Sequence, residues 1–453
     1  MKKIALFIVI GFLGISAQAQ QPLSLTIDQA VEIGLQNSKA LRSSQYKVIA
    51  AEAKSGEMNA LGLPSLKFQG AYARLSDVPP GAFQIPAGIF GTLPPPFSVS
   101  LPPADVNSVI SPSISNNYTL KATVQQPLFT GWKISGAQDA AEYSAEAVKL
   151  DFQKDRADVI YNIKAAYWNV YRALEFKKFV DENVEQIRAH ATDAENLLKQ
   201  GMITTNDLLK VQVQLSDAQV RQIDAKNNVR LAMYALNNTL GLPLTNEITL
   251  TSTININERN WTSLDSLVTK AMNDRPDMLA MNSRIRAGES GLTSARGSWW
   301  PQIYFIGNYN YLRPNQRYFP MKDEFKGTWD VAVSVSFDIW NWNQTGNQTT
   351  QAQAQLSQAE EGLSMLKDGV MLDVTQNYLA VNQSKERKAV AEQGVAQAEE
   401  NYRVMHEKYK KGLTPNSELL DAEVALLQAK LNLTQSLVDY ELSVARLARA
   451  IGE

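Results

Sequence analysis

The amino-acid sequence predicts a mainly α-helical protein with a β part, arranged as two tandem copies of one strand-and-helix unit. Three observations predict this fold class. The two halves of the chain match each other at a fixed offset, segments with period-two alternation occur in pairs, and two long segments contain no proline. We expect four β-strands and two long helical hairpins in each chain.

The first 19 residues have the three-part pattern of a secretory signal. Two lysines follow Met1, then comes an apolar run from Ile4 to Ile15, and then a small-residue Ala-Gln-Ala sequence that ends at Ala19. The run is shorter than the ~20 residues that cross a bilayer as a helix, which makes a retained anchor the weaker alternative. We therefore expect the mature chain to leave the cytoplasm.

The composition excludes several classes of function. The 453 residues include no cysteine, which excludes disulfides, thiolate metal sites and a cysteine nucleophile. Lys and Arg total 44 against 46 Asp and Glu, so no basic excess favours a nucleic acid partner. Two histidines, no Gly-rich phosphate loop and no HExxH spacing leave no catalytic constellation. We predict no enzyme, no cofactor and no metal.

The internal repeat determines the order of elements. Near the N-terminus an offset of 237 positions places Pro64 on Pro301 without a gap. Over residues 127–241 the offset is 211 positions, and it places Gly201 on Gly412. The first copy therefore carries an insertion of 26 residues relative to the second.

The insertion reads as a loop. Nine of the 18 prolines of the chain lie within residues 76–117. Proline neither donates to a β-ladder nor continues a helix. We expect this segment to be extended, solvent-facing and extracellular.

The strands are predicted by alternation. In residues 329–340 the odd positions are apolar, beginning with Trp329, and polar residues such as Asp330 occupy even positions. Residues 301–312 and 118–128 alternate in the same way. A soluble sandwich would explain the alternation, but lengths of 10 to 12 residues fit a tilted membrane-spanning strand. Aromatic residues also gather at strand ends, as interface girdles do: Trp299, Trp300, Tyr309, Tyr311, Trp340 and Trp342.

Each strand pair is followed by a segment of 68 residues without proline, at residues 133–200 and 344–411. Both are rich in helix-forming residues, and at ~1.5 Å per residue each would form a rod of about 100 Å. Gly201 and Gly412 lie where the rods should turn, because glycine tolerates a left-handed C-terminal cap. The helices that follow would return antiparallel, as coiled-coil hairpins.

These predictions divide the chain into consecutive segments. They are a signal peptide at 1–19, a helix of the first repeat at 20–63, a strand pair at 64–129 that includes the loop 76–117, a helical hairpin at 130–241 with its turn near 201–205, an inter-repeat linker in the equatorial region at 242–263, a helix of the second repeat at 264–300, a second strand pair at 301–340, and a second hairpin at 341–453 with its turn near 412–415.

Four strands cannot close a barrel, since small barrels need about eight. In lipid an open sheet edge leaves backbone groups unpaired at several kcal/mol each. We therefore expect several chains to share one barrel that continues into a tube of helices.

The ordered motifs of the two copies resemble the outer-membrane efflux protein family, the TolC-like outer-membrane factors of tripartite export systems. The resemblance covers nearly the whole mature chain. It rests on the entry motif Leu25-Thr26-Ile27-Asp28-Gln29-Ala30, on Pro64 and Pro301, on Gln126-Pro127-Leu128-Phe129, and on the turns Gly201-Met202-Ile203-Thr204 and Gly412-Leu413-Thr414-Pro415.

The resemblance implies a homotrimer with a 12-stranded barrel in the outer membrane and a helical tunnel in the periplasm. It implies docking onto a periplasmic adaptor and an inner-membrane pump, and passive export of small molecules or proteins without chemistry. A periplasmic or surface coiled-coil protein with a structural or adhesive role is the alternative, although it would not need strands of spanning length.

The resemblance also implies a pore constriction at the second hairpin tip. Acidic residues six and nine places after the second turn glycine form rings in the family, and here those residues are Glu418 and Asp421. Rings of carboxylates in a narrow opening favour cations. The residues alone also allow a plainer explanation, since acids suit the first turns of a helix.

Four further residues occupy positions of family gate contacts: Tyr409, Asp207, His190 and His406. An imidazole contact there could respond to pH, because imidazole titrates near neutrality, and ordinary solvated histidines are the alternative. The pattern departs from the family at Thr414, where the type member has a basic residue, so an ion-pair latch is not implied at that position.

Overall fold

The structure is a computed structural model that describes residues 23–76, 81–85, 106–111, 113–252, 254 and 261–453. The predicted signal peptide and most of the predicted loop 76–117 lie outside the described residues. The chain divides into two compact units. We call Met1–Val48, Val148–Ala280 and Leu363–Glu453 the helical unit, and Ile49–Ala147 and Met281–Gly362 the sheet unit.

The described residues contain eight α-helices. They are α1 Ile27–Asn37, α2 Lys39–Ala60, α3 Lys133–Lys199, α4 Thr205–Leu240, α5 Leu264–Asp274, α6 Pro276–Arg296, α7 Gln344–Lys410 and α8 Asn416–Ala450. None of these helices combines the length and the apolar character that crossing a membrane requires.

The repeat predicted from the sequence is present in the helix bounds. The rods α3 and α7 are both 67 residues long, and the offset of 211 carries one onto the other. The offset of 237 likewise carries α1 onto α5, which are both 11 residues long. The mainly helical tandem-repeat fold predicted from the sequence is therefore confirmed.

Eight strands are described: β1 Leu23–Leu25, β2 Ser65–Arg74, β3 Gly81–Ile85, β4 Val106–Ser111, β5 Asn116–Phe129, β6 Ile248–Leu250, β7 Gln302–Arg313 and β8 Lys326–Ser336. Four of them form an antiparallel sheet in the order β2-β5-β7-β8. These are the four strands that alternation predicts. Residues 337–340, predicted to continue the last strand, lie beyond the end of β8.

Two short strand pairs were not predicted. β1 pairs parallel with β6, and β3 pairs antiparallel with β4 inside the segment predicted as a loop. Three-residue strands are too short to show a period. The β1–β6 pair is stabilised by tertiary contacts, since the hydroxyl of Tyr167 donates to the carbonyl of Leu25 at 2.9 Å and accepts from the amide of Ser252 at 3.1 Å.

Each predicted single helix before a strand pair is two helices. The first copy breaks at Ser38, between α1 and α2, and the second at Arg275, between α5 and α6. Pro276 explains the second break, because the residue before a proline is disfavoured in helical conformation. The Arg275 guanidinium then donates to the carboxylates of Asp277 and Asp373, each at 2.8 Å, and to the carbonyl of Ala450 at 3.0 Å.

In the helical unit the long helices lie in the order α4, α3, α8, α7. α3 packs on α4 through buried residues such as Ile187 and Val211. Tyr167 of α3 packs in one cluster with Val438 of α8, and Val374 of α7 packs in another with Leu447 of α8. The two middle helices therefore have neighbours on both sides, whereas α4 and α7 are the outer helices.

Candidate functional site

Both helical hairpins turn with the same backbone geometry. Gly201 has φ 73° and Gly412 has φ 66°, the left-handed conformation that glycine adopts without strain. In each turn the amide after the glycine donates at 2.9 Å to the carbonyl four residues before it. This is a Schellman motif, and it satisfies carbonyls at the end of each rod. Both turn glycines lie where the sequence places them.

The two returning helices begin differently. In α4, the hydroxyl of Thr204 accepts from the amide of Asp207 at 3.2 Å, and the Asp207 carboxylate accepts from the amide of Thr204, which is a capping box. These hydrogen bonds from Thr204 hold the pKa of Asp207 below its usual range. In α8 the N-cap is Pro415, whose side chain makes no cap hydrogen bond.

The predicted constriction residues lie on the first turns of α8 and are exposed. Glu418 occupies the position that Asp207 has in the other hairpin, and Asp421 follows one turn later. Within the described part of the chain, neither carboxylate has a hydrogen-bond or ion-pair partner. Both are therefore free to face a solvent-filled opening.

The structure brings three helices together around His190 of α3. The Nδ1 atom of His190 lies 3.6 Å from Oε1 of Glu423 on α8, and the side chains are 3% and 2% exposed. The imidazole also packs edge to face on Tyr409 of α7, with ring centroids 4.9 Å apart. We call His190, Tyr409 and Glu423 the tip cluster.

The tip cluster is poorly satisfied and surrounded by acids. Both imidazole nitrogens, the Tyr409 hydroxyl and Oε2 of Glu423 are buried without a hydrogen bond among the described residues. Burial, together with the nearby charges of Asp193, Asp207 and Glu423, raises the pKa of Tyr409. Burial and Glu423 likewise raise the pKa of Tyr402.

The other predicted gate residues are placed differently. His406 stacks on Tyr402 of its own helix with ring centroids 5.6 Å apart, and it is not part of the tip cluster. Asp207 makes no hydrogen bond to Tyr409; its carbonyl instead accepts from Asn416 at 3.3 Å. The reason is local, because the capping box already uses the Asp207 carboxylate.

Glu423 is the residue that the sequence reasoning missed. It lies at a core position of α8, four residues after Leu419 and three before Leu426, and both leucines are buried. An acidic residue in an apolar helical stripe is the signal that could have identified it. Among the described residues, no group of three or more His, Asp and Glu is arranged to hold a metal ion.

The four-stranded sheet has one apolar and one polar face. Cross-strand neighbours share a face. The row Phe68, Ala122, Tyr309 and Trp329 lies on the apolar face, where Trp329 is 71% exposed.

On the polar face the adjacent row begins with Lys67 and continues through Thr123, Asn308 and Asp330. In this row the Thr123 hydroxyl donates to Asn308 at 2.9 Å, and Asn308 donates to Asp330 at 2.8 Å. The sheet therefore suits an apolar medium on one side and water on the other.

The comparison with known proteins identifies the family. A family model described as outer membrane efflux protein matches residues 30–242 and 267–453. The chain belongs to the outer membrane efflux protein family. The resemblance predicted from the sequence motifs is therefore confirmed, and the chain is an outer-membrane efflux channel protein with a large periplasmic portion. The adhesive alternative has no support among its relatives.

Individual relatives are distant but extensive. Outer membrane protein TolC of Vibrio cholerae is 22% identical over 315 residues, which are 69% of this chain and 72% of that protein. TolC of Escherichia coli is 21% identical over 361 residues, or 77% and 71%. The crystal structure of the Campylobacter jejuni CmeC outer membrane channel has the same fold, with a TM-score of 0.77, 15% identity and coverage of 94% and 85%.

Proposed function

We propose that three copies of this chain form one channel, which serves as the passive outer-membrane exit duct of a tripartite export system. Each copy contributes four strands to a closed 12-stranded barrel and two helical hairpins to a periplasmic tunnel. The single observation that carries the proposal is the four-stranded sheet with an exposed apolar face and two unpaired edges.

The sheet edges require partners. The order β2-β5-β7-β8 leaves β2 and β8 at the edges of this sheet. Because neighbours in the sheet alternate in direction, β2 of one copy and β8 of the next would also be antiparallel. Unpaired edge groups cost several kcal/mol each in lipid, so edge-to-edge closure of identical copies is strongly favoured. Three copies supply twelve strands, above the number of about eight that a closed barrel needs.

The outer helices present apolar stripes that one copy leaves uncovered. On α7, Met365, Leu372 and Leu379 recur every seven residues and are all exposed. On α4, Val213 and Val220 repeat the same spacing and are also exposed. A seven-residue apolar repeat is the pattern of a coiled-coil seam. We therefore place α4 of one copy against α7 of the next.

The constriction follows from the same assembly. Threefold symmetry would gather Glu418 and Asp421 of three copies around one axis, giving six carboxylates at the periplasmic entrance. Such a ring favours cations and raises the local cation concentration. Tyr409, Asp207, His190 and His406 would act near this entrance.

An adaptor and an inner-membrane pump complete the proposed system. A groove of about 970 Å³ lies between α3 and α4 and is lined by charged and amide side chains, including Lys177, Asp181, Glu182, Gln222 and Lys226. Its polar lining suits a transient contact with another helical protein rather than an obligate interface. We assign it to the periplasmic adaptor.

The edge pairing can be tested by disulfide formation, since the chain has no cysteine of its own. Leu66→Cys on β2 would be combined in turn with Val331→Cys, Val333→Cys or Val335→Cys on β8, all on the apolar face. Within one copy these strands are three strand spacings apart, or about 14 Å, too far for a disulfide. We expect one combination to give a covalent ladder that ends at three chains. A ladder that passes three, or no crosslink in any combination, would overturn the proposal.

A further inference from the structure

We propose that His190 and Glu423 form a proton-dependent tie between α3 and α8 that positions the constriction residues Glu418 and Asp421. The proposal rests on the proposed channel function and adds to it a positioning pair within one chain. In this account, proton uptake by the pair holds α8 against α3, and proton loss loosens it.

The geometry of the pair is that of an incomplete ion pair. The 3.6 Å between His190 Nδ1 and Glu423 Oε1 is within ion-pair range but longer than a hydrogen bond. Both side chains are almost fully buried, and neither imidazole nitrogen nor Oε2 of Glu423 has a hydrogen bond among the described residues. A buried polar group without a partner is costly, so this interface has two states of different stability.

The charges around the pair give the direction of the response. The groups facing it are Asp193 on α3, Asp207 at the start of α4, and Tyr402 and Tyr409 on α7. All are acidic or neutral, so His190 is the one group of the cluster that can supply a positive charge. Imidazole is the side chain that gains charge between about pH 8 and 5. Acidification therefore adds the cation that Glu423 needs, and alkalinisation leaves a carboxylate facing other carboxylates.

The position of Glu423 links the pair to the constriction. At 3.6 residues per turn, Glu423 lies roughly 150° around α8 from both Glu418 and Asp421. Glu423 is buried whereas the other two are exposed. A tie on the back of α8 thus determines how far the acids on its front project, and His190 and Glu423 act as positioning residues.

The direct test is the pH dependence of single-channel conductance in full-length protein. Glu418→Gln and Asp421→Asn would be introduced first, so that their own protonation does not contribute. In this background we expect conductance or open probability to rise by up to about tenfold per pH unit between about pH 5.5 and 7.5, the limit for one linked proton. Adding His190→Gln or Glu423→Gln should flatten the profile, and adding both should change nothing further.

The control is Glu195→Gln, which removes an exposed carboxylate from α3 outside the tip cluster and should leave the pH profile intact. A flat profile in the starting background, or a profile that disappears with His406→Gln and survives His190→Gln, would overturn the tie. Conductance with a flat profile would leave the channel proposal standing, so the two failures are distinguishable.

A second measurement keeps the test independent of conductance. A double-mutant cycle of His190→Gln and Glu423→Gln, followed by thermal unfolding, should show a coupling that is stronger at about pH 5.5 than at about pH 7.5. A purely structural contact would couple equally at both pH values, and that result would contradict the proposal.

Discussion

The two hairpin tips share a backbone but not their side chains. Both rods end in the same Schellman motif around a left-handed glycine, Gly201 or Gly412. The first tip then uses Asp207 in a capping box with Thr204, whereas Pro415 leaves Glu418 of the second tip without a local partner. The same acidic position therefore stabilises a helix start in one copy and presents a free carboxylate in the other.

The tip cluster also exists in one copy only. The offset of 211 relates its three residues to uncharged residues elsewhere in the chain: His190 to Asn401, Glu423 to Gln212 and Tyr409 to Leu198. Duplication thus explains the scaffold, and a few substituted positions carry what is specific to the second hairpin. The predictions below test both halves of this comparison.

The largest effect is expected where the copies should be equivalent. Leu236 and Leu447 are related by the offset of 211, and both are fully buried. Leu236→Ala and Leu447→Ala should each lower the free energy of unfolding by about 3 kcal/mol, because each leaves a cavity. Denaturant titration measures this. Leu244→Ala, at an exposed position, is the control, and clearly unequal effects of the two core substitutions would break the symmetry.

Alanine at the turn glycines should cost less, and equally in both copies. Gly201→Ala and Gly412→Ala place a Cβ in open space, so the cost is the left-handed backbone alone, about 1–2 kcal/mol. Gly369→Ala in the middle of α7 also points into open space, but there alanine should stabilise the helix by up to about 1 kcal/mol. Thermal unfolding of the three variants compares these signs.

The helix starts should respond differently. Thr204→Ala removes the cap of α4 and should cost about 1 kcal/mol, whereas Pro415→Ala removes no side-chain hydrogen bond.

The cost of Thr204→Ala should also depend on pH. The folded pKa of Asp207 is lowered by Thr204, so the stabilisation is present above the ordinary carboxyl pKa and is lost as pH falls through the folded value. The difference between Thr204→Ala and the wild type should therefore shrink in acid. A difference that grows in acid would contradict the capping role.

The smallest expected effect is functional. Glu418→Gln with Asp421→Asn should reduce the cation-to-anion permeability ratio several-fold, because the six carboxylates at the entrance become neutral. Glu195→Gln with Glu407→Gln removes the same number of charges near the tips and should change the ratio much less. Reversal potentials in a salt gradient measure both, and equal changes would remove the constriction from Glu418 and Asp421.

Much of the fold could be predicted because its signals are local and repeated. Period-two alternation identifies the strands of the main sheet, and the absence of proline identifies both rods. The breaks at Ser38 and Arg275 and the three-residue strands β1 and β6 could not be predicted in the same way. They depend on tertiary contacts, such as the Tyr167 hydroxyl between Leu25 and Ser252.

The candidate site was less accessible from the sequence. The positions of Glu418 and Asp421 follow from counting residues after Gly412, but their exposure follows from Pro415 and from the face of α8 that packs. Sequence resemblance also grouped the two histidines, whereas the structure separates His190 in the tip cluster from His406 on Tyr402. Side-chain partners across helices depend on helix rotation, which residue spacing alone does not determine.

The central claim is that three copies form one conducting duct. Purified full-length protein should have the mass of three chains in detergent, and in planar lipid bilayers it should give discrete, cation-selective conductance steps. Such steps from a trimer would agree with the account. A stable monomer that inserts without conductance, or a conducting assembly of another number of chains, would contradict it.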